Sequence, residues 1–221
     1  KLYIGKREEV FVYNESTGNF DLFYHLAGKN ITLSCLHLDK NKNLWMGTTS
    51  NGIYCLSEDK SLSRPVTKGN ITSIYEDSSN ELWIGSWEEG LYRVKTDGNI
   101  ENLRHNPMNT NSLCSNFVRS CCEDNSGDLW IGTFNGLNRY DRETGKFHLY
   151  TANGNSPDGL THSSIWCIVK DGQGTIWLGT YFGGVNYFNP EYEIYTRYKV
   201  GDTEKAGLSS PIVGRMTEDK D

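Results

Sequence analysis

Short apolar runs alternate with polar, glycine-bearing turns along the whole chain, as in Ile71-Thr72-Ser73-Ile74-Tyr75, Leu82-Trp83-Ile84-Gly85 and Leu91-Tyr92-Arg93-Val94. The runs are rich in β-branched and aromatic residues, which suit a pleated, half-buried surface. No window of 11 or more residues places apolar side chains at i, i+3, i+4 and i+7, so helices are not expected. The pattern predicts an all-β chain of short strands.

The runs repeat. Leu44-Trp45-Met46-Gly47-Thr48 returns as Leu82-Trp83-Ile84-Gly85-Ser86, Leu129-Trp130-Ile131-Gly132-Thr133 and Ile176-Trp177-Leu178-Gly179-Thr180, with a weaker copy, Leu2-Tyr3-Ile4-Gly5-Lys6, at the start. The anchors Tyr3, Trp45, Trp83, Trp130 and Trp177 are separated by 42, 38, 47 and 47 residues, the period of propeller blades. Six residues before each tryptophan stands an aspartate (Asp39, Asp77, Asp124, Asp171), followed by turn formers that its carboxylate can close by accepting backbone N–H groups. That predicts a hairpin. After each Trp strand a short turn ends in Gly52, Gly90, Gly136 or Gly184 and leads into a third strand. A fourth is expected after a second turn, where Tyr13 to Phe20 matches Tyr140 to Phe147.

Four antiparallel strands per unit make a blade, and the tryptophans are expected to pack blade on blade. Innermost strands, covered on both faces, should be apolar on both. Leu33, Ile71, Val118 and Ile165 stand six residues before the aspartates, and Leu36, Ile74, Cys121 and Ile168 three before. The tail repeats this with Val213 and Met216 ahead of Asp219 and stops at Asp221, where another Trp strand would begin. The expected fold is therefore a β-propeller segment over 1–221: a partial blade 1–28, blades 29–68, 69–114, 115–161 and 162–207, and a partial unit 208–221. An inner strand from the tail would complete the opening blade in a five-membered ring, or the ring is larger and cut.

Composition narrows the function. The 221 residues carry 22 basic and 28 acidic side chains, a formal charge of −6, with no basic block to follow a phosphate backbone, so nucleic acid is not an expected partner. No apolar stretch reaches the roughly 18–20 residues of a spanning helix, and the segment reads as soluble. The start has neither the apolar core nor the cleavage site of a signal peptide, so any targeting signal is expected outside it. Cys35, Cys55, Cys114, Cys121, Cys122 and Cys167 form no C-x-x-C pair and read mainly as small core residues, with one disulfide left open. His25, His37, His105, His148 and His162 occupy unrelated repeat positions, and no metal, triad or phosphate-loop motif is present; neither metal nor cofactor is expected. The pairs Glu76-Asp77, Glu123-Asp124 and Glu218-Asp219 recur once per unit and read as structural rather than catalytic. The N-x-S/T sequences at Asn14, Asn30 and Asn70 are weak glycosylation matches.

The unit from Glu123-Asp124 through Gly127-Asp128-Leu129-Trp130-Ile131-Gly132-Thr133 to Gly136-Leu137-Asn138-Arg139-Tyr140-Asp141 resembles the two-component regulator propeller repeat. The loops Asn111-Ser112-Leu113, Asp158-Gly159-Leu160-Thr161 and Gly207-Leu208-Ser209-Ser210 are similar to that family too. The first copy departs from it, with Tyr3 for Trp and Lys6 for Thr or Ser. The resemblance implies the periplasmic sensor of a hybrid histidine kinase from glycan-degrading gut bacteria, in which seven-bladed propellers stand in tandem before a sandwich domain, a membrane helix and the kinase. It further implies an oligosaccharide or polysaccharide ligand and a homodimer formed through the parent ectodomain, with membrane contact through the parent chain alone. Any kinase activity would belong to that parent, not to this segment.

Propellers bind ligands on the face that carries the turns between second and third strands. Four residues after each anchor stand Thr49, Trp87, Phe134 and Tyr181. Trp87, Phe134, Tyr181 and Phe182 offer flat apolar platforms for sugar rings, and Glu88, Glu89 and Asn135 offer hydrogen bonds; the alternative is that the rings only cover the seams between blades. Arg119 and Trp166 break the inner-strand pattern, where Ser34 and Thr72 stand in other copies. Violations of a repeat are expected at functional sites, and His162 and Arg215 are neighbouring candidates. The leading expectation is a sensory binding module without bond chemistry. A protein-docking scaffold on the same face is the second, and a propeller lyase like the streptogramin lyases the third.

Overall fold

The computed structural model describes residues 1–28, 31–152, 159–190, 194–199 and 207–219. Asn30, Asp158 and Asp221 lie outside them. The described residues form strands and turns, with no helix.

Five antiparallel sheets follow one another along the chain. The first has three strands, β1 (Tyr3–Lys6), β2 (Glu9–Asn14) and β3 (Asn19–His25). The second comprises β4 (Leu33–Leu38), β5 (Leu44–Thr48), β6 (Ile53–Leu56) and β7 (Leu62–Val66). The third comprises β8 (Ile71–Glu76), β9 (Leu82–Ser86), β10 (Leu91–Val94) and β11 (Ile100–Leu103). β12 (Val118–Glu123), β13 (Leu129–Thr133), β14 (Gly136–Asp141) and β15 (Lys146–Tyr150) make the fourth. β16 (Ile165–Lys170), β17 (Ile176–Thr180), β18 (Val185–Asn189) and β19 (Ile194–Tyr198) make the fifth. Within each sheet the strands lie in chain order, and the innermost strands β4, β8, β12 and β16 pack one on the next. These sheets are the blades of a β-propeller. The match between Tyr13–Phe20 and Tyr140–Phe147 marks the same hairpin in two blades: both pairs are cross-strand partners, with ring centroids 5.3 Å and 4.9 Å apart.

The aspartate six residues before each tryptophan closes its hairpin and also anchors the indole. Oδ1 of Asp39, Asp77, Asp124 and Asp171 accepts the backbone N–H four residues on, at 2.8–3.0 Å. Oδ2 accepts the indole N–H of Trp45, Trp83, Trp130 or Trp177, at 2.6–2.8 Å. A tryptophan can bury fully only if its N–H finds a partner. With that partner supplied, Trp83 and Trp130 are wholly buried, each worth about 4–6 kcal/mol of apolar burial. Trp83 joins the cluster between the third and fourth blades, and Trp130 the one between the fourth and fifth.

Glycine two residues after each tryptophan is required by space. A Cβ on Gly47 would stand 2.5 Å from Cys35 Sγ and 2.8 Å from Ile71 Cγ2, and one on Gly132 would stand 2.8 Å from Ile165 Cγ2. The Trp strand thus touches the next blade's inner strand with no room for a side chain. The glutamates of the acidic pairs brace neighbouring blades. Glu76 accepts the N–H of Lys40, Glu123 accepts the N–H and hydroxyl of Ser78 at 2.8 Å each, and Glu218 accepts the N–H of Gly172 at 2.8 Å.

The tail sits where the inner strand of a following blade would lie. Val213 donates its N–H to the Thr180 carbonyl and the Pro211 carbonyl accepts the N–H of Gly184. The equivalent bonds Gly52 to Gly69 and Gly90 to Asn116 join the preceding blades. Among the described residues the tail makes no backbone hydrogen bond to β1, whose Ile4, Gly5 and Lys6 are exposed. The mixed blade weighed from the sequence is therefore not paired into a sheet.

Candidate functional site

The inner strands and the tail enclose an open channel of about 910 Å³. Each inner strand carries an irregularity at the same place: pairing skips from Leu33 to Cys35, Ile71 to Ser73, Val118 to Ser120 and Ile165 to Cys167. The skipped residues are Ser34, Thr72, Arg119 and Trp166. A bulge re-aims the side chain of the extra residue, and all four of these line the channel. The two positions that break the sequence repeat are therefore presented to one cavity.

There they meet the aromatic turn residues. The Arg119 guanidinium carbon lies 4.1 Å from the centre of the Trp87 ring and 4.3 Å from that of Trp166, so the cation is held between two indoles. Trp166 stacks on Tyr181 at 5.0 Å with 19° between planes, and Tyr181 meets Phe182 edge to face at 4.3 Å. His162 lies against Phe182 at 6.3 Å. On the other side Trp87 contacts Phe117 at 5.4 Å, and Phe117 contacts Phe134 at 6.1 Å. A continuous band of rings around one guanidinium thus crosses three blades at the channel mouth.

The candidates differ in what they leave free. Phe134 and Phe182 are 46% and 54% exposed at the two sides of the band, while Trp87, Trp166 and Tyr181 are half-buried, with Trp87 and Trp166 flanking Arg119 and Tyr181 stacked on Trp166. The isolated platforms expected at Trp87 and Tyr181 are instead parts of one stack. Glu88 and Asn135 are exposed beside the rings. The Glu89 carboxylate is engaged by Arg104 and by Lys68, which removes it as a free acceptor. His162 Nδ1 accepts the N–H of Ser164 at 3.0 Å, which shapes its loop. Arg215 lines the channel from the tail. Phe117 was not a candidate in the sequence, although it stands where the other copies have Thr32, Asn70 and Ser164, a departure from the repeat like that at Arg119.

Charge in the channel is one-sided. Arg119 and Arg215 line it, and among the described residues no aspartate, glutamate or histidine does; the rest is Ser, Thr, Asn, Cys, apolar and indole. Burial pushes the Arg119 pKa down, but a guanidinium stays protonated at neutral pH. Ser73 Oγ, Arg119 Nε and Trp166 Nε1 are buried without a hydrogen-bond partner. The cysteines are separate from this chemistry: all six are free, and burial pushes Cys35 and Cys55 up to about 11 and Cys122 up to about 12. No group of three or more metal-ligating side chains occurs among the described residues.

Sheets, hairpin locks and channel define a β-propeller with a band of aromatic rings at one end of the channel. The particular repeat is that of the two component regulator propeller, whose family model matches residues 25–50, 65–88, 112–135 and 159–182, and the chain carries four copies of it. No curated protein sequence matches the chain. Among solved structures it is similar to virginiamycin B lyase from Staphylococcus aureus, at 16% identity and a TM-score of 0.68, over 90% of this chain and 65% of that one. It is also similar to PorZ, a surface component of the type-IX secretion system of Porphyromonas gingivalis, at 13% identity and a TM-score of 0.72, over 96% of this chain and 34% of that one. An extracellular domain assigned to a hybrid two component system of B. thetaiotaomicron matches at 23% identity and a TM-score of 0.43, over 90% and 31%. The chain thus spans 65% of the lyase and about a third of the other two. At these identities the likeness to the first two is one of fold.

Proposed function

We propose that this chain is the ligand-recognising part of an extracytoplasmic sensor of the hybrid two component type, and that it binds a glycan fragment at the channel mouth. The repeat family supports the sensor class. The single observation that carries the binding site is the stack Trp87–Arg119–Trp166–Tyr181, assembled from three blades around one cavity. Aromatic faces with nearby hydroxyls suit the C–H faces and hydroxyl rims of sugar rings. Among the described residues the channel lining offers no carboxylate or imidazole for acid–base work, and we read the site as one for binding rather than turnover. Free thiols held protonated by burial are compatible with an oxidising compartment. Signalling then requires the ligand to favour one arrangement of the parent ectodomain, or of its homodimer, over another, because equal affinity shifts no equilibrium.

The test is calorimetric titration of the full-length ectodomain with an oligosaccharide library. Saccharide heat that disappears in the double variant Trp87→Ala, Tyr181→Ala supports the reading. Undiminished affinity in that variant removes the site. The absence of saccharide heat across the library favours a protein-docking scaffold, for which the exposed Phe134 and Phe182 are the natural anchors.

A further inference from the structure

Four arginines on the blades are matched to acids, Arg64 is held by the backbone carbonyls of Asn51 and Thr67, and exposed Arg7 has no side-chain partner among the described residues. Arg93 pairs with Glu81, Arg104 with Glu89, Arg139 with Asp128, and Arg142 with Asp77 and Glu123. Arg119 and Arg215 have no ion pair and no hydrogen bond, although the chain as a whole carries a net charge of −6. Both line the channel, to which no acidic side chain among the described residues contributes. Arg215 is exposed and Arg119 half-buried, so the cost of withdrawing a cation from water without a counter-charge falls on Arg119, and its flanking indoles offset only part of it.

The unpartnered polar atoms point the same way. Arg119 Nε–H and the indole N–H of Trp166 can only donate, and the Ser73 hydroxyl can donate as well. The channel therefore presents positive charge and unpartnered donors with no carboxylate to meet them among the described residues. Arg215 lines the channel from the tail, where the preceding Gly214 lies beside Trp166.

We propose that the ligand carries an anionic oxygen group, the carboxylate of a uronic acid or a sulfate ester, and that Arg119 and Arg215 determine this specificity from the channel. The inference rests on the channel being the glycan site. A carboxylate or sulfate is acceptor-only and meets a guanidinium through paired N–H···O bonds. The stacked indoles hold Arg119 in place beforehand, so little side-chain order is lost when the anion arrives. A neutral sugar would leave both cations unmatched.

The experiment titrates the full ectodomain with trigalacturonate, with its neutral counterpart galactotriose and with galactose 6-sulfate, alongside sodium acetate and sodium sulfate alone. The expected result is an acidic saccharide bound at least about ten-fold tighter than galactotriose, a ratio that shrinks when salt rises from about 0.05 to about 0.5 M. Arg119→Gln and Arg215→Gln should each reduce the ratio, while Arg119→Lys, which keeps charge but loses the planar stack, should fall between. Thermal melting of each variant confirms that it is folded. A stronger response to the sulfated sugar assigns a tetrahedral anion, and one to trigalacturonate a planar one. Equal affinity for acidic and neutral sugars, or a ratio unmoved in both folded Gln variants, overturns the inference and leaves the glycan reading standing. Heat from acetate or sulfate alone that matches the acidic sugars reduces the site to an inorganic anion site and overturns it as well. Binding of none of these probes by the folded ectodomain overturns the inference, while the oligosaccharide library decides the glycan reading separately.

Discussion

The indole N–H of Trp83 donates to Asp77 Oδ2 at 2.6 Å, and the same carboxylate oxygen receives Arg142 from the next blade. The hairpin lock of one blade is thus also a tie between two. Asp77→Ala leaves a buried indole N–H without a partner and a half-buried guanidinium with Glu123 alone. The expected loss is about 3 kcal/mol, seen as a lower urea midpoint. Asp77→Asn, which keeps an acceptor for the indole but loses the charge, should lose less. An unchanged midpoint for Asp77→Ala would separate the aspartate from the stability of the blade.

Stability should fall steeply in acid. Burial opposes ionisation of Asp77 and Asp171, but the indole N–H, backbone N–H groups and, for Asp77, Arg142 outweigh it and hold both carboxyls below the usual aspartate range. A carboxyl whose folded pKa is depressed contributes fully above the unfolded value near 3.9, and the contribution is lost as pH falls through the folded pKa. Denaturation midpoints should therefore be nearly flat from about pH 7 to about pH 5 and fall below about pH 4. In Asp77→Asn the acid limb should be shallower, which midpoints measured across that range will show.

Gly132→Ala should be costly although alanine is a small residue. Its Cβ would meet Ile165 Cγ2 at 2.8 Å and Ile165 Cβ and Ile168 Cδ1 at 3.2 Å, all on the next blade's inner strand. Overpacking of this kind costs about 1–3 kcal/mol. At Gly172 the nearest atom to an added Cβ is Glu218 Oε1 at 3.4 Å, so Gly172→Ala is the control and should be nearly neutral. Equal melting temperatures for the two variants would contradict the close blade contact.

The thiols should be unreactive until the protein unfolds. Desolvation moves Cys35 from 9.0 to about 11, which lowers its thiolate fraction near pH 8 by about 100-fold. Cys55 and Cys122 are shifted at least as far. Titration with a disulfide reagent should give slow, incomplete reaction in the native protein and all six thiols in denaturant. Rapid native labelling of Cys122 would show that the seam between the fourth and fifth blades opens.

Much of the candidate face was legible in the residues, but its wiring was not. The aromatic turn positions Trp87, Phe134 and Tyr181 stand at a fixed offset from a repeated tryptophan, and Arg119 and Trp166 stand out as departures from a repeat. Nothing local says that Arg119 lies between Trp87 and Trp166, which come from the blades on either side of its own. Nor does the sequence show that Glu89 is captured by Arg104, because that pair forms only when the outer strand of the blade returns beside the turn. The bulge that turns Arg119 and Trp166 into the channel is equally silent: it is a property of strand pairing, and Ser34 and Thr72 adopt it too.

The chain alone determined what short-range chemistry enforces: strand length, hairpin turns closed by aspartate and the period of the tryptophan strands, all legible within single blades. Tertiary structure alone decided which side chains share the channel, that two arginines there go unmatched, and that the tail packs as an inner strand without pairing to β1. Those outcomes depend on how blades rotate and pack around a common axis, and that packing joins residues tens of positions apart, whose proximity no local pattern encodes.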